Sequence, residues 1–92
     1  MEISAEELRL AREVVEDLLE EMGLVAYLYE VEPAAREWMV RVECALDGGW
    51  QMVQIPVVKE NLLAARSNRQ IRAELLEDWG GELAPCRRPG DQ

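Results

Sequence analysis

The sequence predicts a two-layer α+β fold, ordered α-β-β-β-α(α), in which helices pack on one face of a three-stranded antiparallel meander sheet. Three observations carry this. Apolar residues recur at three- and four-residue spacing up to position 22 and again beyond position 59. Between these segments the period drops to two over three consecutive stretches. Short turn-forming segments separate the stretches, the clearest being Asp47-Gly48-Gly49.

The first helix is expected over 5–22. Ser4 and Glu7 form a capping box, and Ile3 with Leu8 a hydrophobic staple. Leu8, Ala11, Val15, Leu18 and Met22 make one stripe, which Leu10, Val14 and Leu19 widen. Gly23 provides a left-handed stop, with Leu24 placed to fold back on the last turn. Three strands follow. Val25, Tyr27, Tyr29 and Val31 alternate in the first; Pro33 to Arg36 loop to the second. There Trp38, Val40, Val42, Cys44 and Leu46 share a face, as Val53, Ile55 and Val57 do in the third. Pairing Val42 with either Val53 or Ile55 keeps the same residues inward.

Beyond Pro56 the helical period returns. A short helix covers 60–66 with Leu62 and Leu63. A new one starts at Ser67, boxed with Gln70, carries Ile71, Leu75, Leu76 and Trp79, and stops at Gly80-Gly81. A single helix over 59–79 would put Leu62 and Leu63 roughly opposite Ile71 and Leu75, so a break at Ser67 fits better. The whole is one domain over 1–83 with a flexible tail over 84–92.

Charge is the most informative compositional feature. Nineteen acidic side chains oppose ten basic ones, a net charge of −9. Residues 1–46 hold twelve acids and four bases (−8), whereas 47–92 hold seven and six (−1). Such lopsidedness bears on partners more than on chemistry. With no histidine, general acid–base work would fall to a carboxylate or lysine of strongly moved pKa, and no residue pattern marks one. No metal-ligand spacing or phosphate-binding glycine loop is present. A non-catalytic protein without a cofactor is expected. Cys44 reads as a small buried hydrophobe. Cys86, beside proline and arginine, reads as an exposed unpaired thiol, which suits a reducing, cytoplasmic setting. No apolar run approaches the length of a membrane span.

The element order is similar to that of double-stranded-RNA-binding domains, which place basic residues at the start of their last helix. The resemblance is one of topology, without that family's lysine cluster or loop motif. A polyanionic first helix would repel a phosphate backbone, so nucleic acid is not the expected partner.

Two contact surfaces are candidates. Leu28, Met39, Ala45 and Met52, with Trp50, should face away from the helices and form an apolar outer sheet face. Leu28, Met39, Trp50 and Met52 are its expected contact residues. Glu13, Glu16 and Glu20 on the first helix would steer a basic protein partner, or the arginines of a second copy in a homodimer. Charge is also misplaced for the helix dipoles. Glu20 and Glu21 lie in the last turn of the first helix, Arg66, Arg69 and Arg72 crowd the start of the last, and Glu77 and Asp78 sit at its end. The second expectation is therefore an anion-binding regulatory domain using Arg66, Arg69 and Arg72.

Overall fold

The computed structural model describes residues 5–24, 27–46 and 49–86. Helix α1 spans Ala5–Glu21, and strands β1, β2 and β3 span Tyr27–Glu32, Glu37–Leu46 and Gly49–Val58. Helices α2 (Lys59–Ala64) and α3 (Arg69–Glu82) follow, and a turn of 3-10 helix over Ala84–Cys86 closes the described chain. The strands form one antiparallel sheet in the order β1-β2-β3. Of the two registers compatible with the sequence, the observed one sets Val42 against Val53.

The core lies between the sheet and the helices. Val31, Trp38, Val40, Val42, Cys44, Ile55 and Val57 are buried on the sheet's inner face. Ala11, Val14, Val15, Leu18 and Leu19 of α1 meet them, with Leu62 of α2 and Leu75 and Trp79 of α3. Every α1 residue in that set belongs to the expected stripe. The end of α1 also follows its sequence. Gly23 has φ +81°, its N–H donates to the Glu20 carbonyl, and the Leu24 N–H reaches back to Leu19 at 3.2 Å. This is a Schellman closure, and Leu24 is buried by it. The capping box at Ser4, the staple at Ile3, Val25 and the turn residues Asp47 and Gly48 lie outside the described residues.

Three expectations about the C-terminal third need correction. The cap of α3 is Asn68, one residue beyond Ser67; its Oδ1 accepts from the Ile71 N–H at 3.0 Å. Asparagine and serine cap equally well, and the turn closed by the Ser67 N–H on the Ala64 carbonyl settles the choice. Nor does α3 stop at Gly80-Gly81; it runs on to Glu82. The extra turn seats Leu83, fully buried, whose N–H donates to the Trp79 carbonyl at 2.7 Å. Burial there outweighs glycine's low helix propensity. Replacing Gly80 and Gly81 by alanine should raise stability by about 0.5–1 kcal/mol each, read as an increased urea midpoint. A Cβ at either position meets nothing within 4 Å.

The third correction concerns the tail. Cys86 is buried and bonded to Cys44 across 42 residues, with the Cα atoms 5.6 Å apart. The flexible tail expected from position 84 therefore starts too early: Ala84–Cys86 is helical and anchored on the central strand. The proline and arginines near Cys86 suggested exposure, but the added turn of α3 carries it to the inner face of β2.

Candidate functional site

The outer face of the sheet is built from alternate residues of each strand, and the register arranges them in rows. At the β2–β3 hairpin end, Ala45 lies opposite Trp50, and the next row is Leu28, Glu43 and Met52. Glu30, Arg41 and Gln54 form the middle row, followed by Glu32, Met39 and Pro56. Leu28, Trp50 and Met52 are 59%, 61% and 55% exposed. Soluble sheet faces of this kind normally carry polar residues at such positions.

The four apolar residues expected to act together are thus not one patch. Leu28, Trp50 and Met52 cluster at the hairpin end. Met39, half-buried, sits two rows away, about 13 Å along the strand. Arg41 divides them. Its guanidinium contacts Glu30 Oε1 at 3.2 Å and Glu32 Oε2 at 2.5 Å, and its Nε is buried without a partner. Glu32 first, then Glu30 and Glu43, raise the Arg41 pKa further and keep it charged. A shallow concavity beside it is lined by Leu28, Tyr29, Glu30, Arg41 and Glu43. Val58, 38% exposed at the far end of β3, belongs to this face and had no place in the expected site. Its odd outward parity relative to Ile55 and Val57 was the available signal.

The acidic surface belongs to the other layer. Glu13, Glu16 and Glu20 are all exposed along α1. Arg9 partly neutralises this ridge by contacting Glu6 at 2.8 Å and Glu13 at 2.6 Å. Glu16 and Glu20 reach toward β1. Burial pushes the Tyr27 hydroxyl pKa up, and Glu20 and Glu16 add to the shift. Tyr29 is raised by burial and then Glu16, with Arg12 opposing. Both phenols remain neutral at ordinary pH. The hairpin-end patch belongs to the outer face of the sheet and the acidic ridge to the helical layer, with Glu16 and Glu20 beside β1.

The arginines at the start of α3 face acids within the molecule. Arg72 pairs with Glu21, 51 residues away. Each is unfavourably placed for its own helix dipole, and each supplies the counter-charge the other lacks. Half-exposed pairs of this kind contribute about 0–1 kcal/mol. Arg66 and Arg72 share a groove with Glu13 and Asp17, while Arg69 is exposed outside it. The groove is close to neutral, a poor receptor for an anion. Lys59 similarly reaches Glu7 at 3.3 Å, tying α2 to α1. Among the described residues, no group of three or more potential ligands could hold a metal ion.

The architecture defines a small two-layer α+β domain. No protein-family model, curated protein or solved structure matches the chain.

Proposed function

We propose that this protein is a non-catalytic interaction module that binds another protein through the hairpin end of its outer sheet face. The observation that carries this reading is the exposure of Leu28, Trp50 and Met52 at one end of a sheet face that folding leaves uncovered, with Leu28 and Met52 flanking Glu43 in one row. Tryptophan and methionine are frequent interface anchors, tryptophan for its large apolar area and methionine for its adaptability. The acidic ridge of α1, on the other layer, speeds the approach of a basic partner without contributing to the apolar contact. Self-association into a homodimer is the other use of the same patch.

The anion-binding alternative is the weaker reading, because Arg72 is engaged by Glu21 and the groove holds two further carboxylates. An unpaired Cys86 is one of the grounds for expecting a cytoplasmic protein, and the Cys44–Cys86 bridge removes it, favouring an oxidising compartment. Among the described residues no helix is long and apolar enough to cross a membrane.

The test compares the wild-type protein with a Leu28→Ser/Trp50→Ser variant in parallel capture from extracts of the source organism. Both sites are exposed, so stability should change by less than about 0.5 kcal/mol. A partner held by the wild type and lost by the variant is expected. Equal capture by both would overturn the assignment of this face.

A further inference from the structure

We infer that this chain also pairs with a second copy of itself, joined edge to edge along β3 into a continuous six-stranded sheet. The inference rests on the reading of the protein as an interaction module and adds a second contact, at the sheet edge and distinct from the outer-face patch.

The two edges of the sheet differ in chemistry. β1 carries Glu30 and Glu32, and Glu16 and Glu20 of α1 lie close enough to shift its tyrosines. β3, with the sequence GWQMVQIPVV, has no charged residue, although 32% of the chain is charged. Natural edge strands are usually guarded by charges, and an uncharged exposed edge is a template for another strand. Gly49, Trp50, Gln51, Met52 and Gln54 are all exposed.

Backbone geometry identifies which groups are free. Leu46 and Gly49 close the hairpin as a bonded pair. Alternation then turns the N–H and C=O groups of Gln51, Val53 and Ile55 toward β2 and those of Trp50, Met52 and Gln54 outward. Pro56 falls in the outward set, where its missing N–H costs the sheet nothing. It also blocks an incoming strand at that point, confining pairing to the segment before it.

A two-fold axis at Met52 satisfies every outward group of this segment. Trp50 faces Gln54 of the other copy, Met52 faces its own equivalent, and the proline stays outside the pairing. An antiparallel homotypic contact brings like residues together, so any charge near the axis would meet its own sign. A neutral strand escapes that repulsion and β1 does not. The β3 edge is the opposite edge of the sheet from the acidic β1, so pairing along it keeps the two β1 strands at the outer margins of the joined sheet. The outer-face side chains of Trp50 and Met52 from both copies would join into one apolar strip.

The experiment is sedimentation equilibrium of the full chain from micromolar to millimolar concentration, with tryptophan emission recorded alongside. A monomer–dimer equilibrium is expected that strengthens as NaCl rises, because salt screens repulsion between two anionic copies. A basic partner would show the opposite salt response. Gln54→Pro removes an outward N–H without touching the β2 ladder, and Met52→Lys sets like charges at the axis; each should weaken dimerisation at least tenfold. Far-UV circular dichroism confirms that both fold. Ala73→Ser, exposed on α3, should leave the dimer intact. A monomer at all concentrations overturns the inference but leaves the outer-face reading to its own capture test. A dimer that survives both β3 substitutions and is lost with Leu28→Ser overturns the edge contact and favours face-to-face association.

Discussion

Replacing both cysteines by alanine should destabilise the protein by about 4 kcal/mol, the loop-closure value for a bridge that spans 42 residues. For a domain of this size that corresponds to a fall in Tm of roughly 15–30 °C. The effect is large against the total of about 5–15 kcal/mol that holds small domains together. The bridge joins the inner face of the central strand to the last described turn, so its loss frees the whole C-terminal segment to leave the sheet. Refolding the wild-type chain under reducing conditions provides a second arm without any substitution. Both sulfurs are buried, so reductant should act at the rate of unfolding and not on the folded protein directly. A shift below about 1 kcal/mol in both arms would show that the bridge does not constrain the chain in solution.

Trp79→Ala is the second large effect, expected at about 3–5 kcal/mol by urea denaturation followed by circular dichroism. Trp79 is 1% exposed and is the largest fully buried side chain among the described residues. Leu75, 8% exposed, is the other buried residue of α3, while Ile71 and Leu76 are partly covered. The helix therefore depends on one indole to a degree that α1, with five buried residues, does not. Trp79→Phe, which leaves a smaller void, should recover a large part of the loss. Equal costs for phenylalanine and alanine would mean that α3 is held by something other than filled volume. The bridge and the indole restrain the same segment, so removing both need not produce the sum of the two losses.

Legibility of the fold in the sequence follows the range of the forces involved. The stripe of α1, its glycine closure, the inward faces of the strands and the break between α2 and α3 are written in residues a few positions apart. Each was readable from period and turn chemistry alone. The cap at Asn68 in place of Ser67 is a contest between neighbours of nearly equal quality, decided by the preceding turn. Gly80 and Gly81 misled because helix propensity is a weak local term, and the burial of Leu83 that overrides it is tertiary. The disulfide across 42 residues and the Glu21–Arg72 pair across 51 depend on how the layers meet. No local pattern encodes that meeting, although two cysteines, one of them inward on a central strand, were a usable hint. For the candidate site, exposure of Leu28, Trp50 and Met52 followed from parity. The separation of Met39 by Arg41 did not, since it required the register of all three strands.

The covalent link between Cys44 and Cys86 encloses β3, α2 and α3 in a ring, with α1 and β1 outside it. Tension applied at the two ends of the chain would pass from β2 through the sulfurs and bypass everything enclosed. About 150 Å of extended contour would stay hidden from the pull until a reductant opened the ring. The first helix and first strand would peel away under load, and the uncharged edge strand would be among the last parts to feel it.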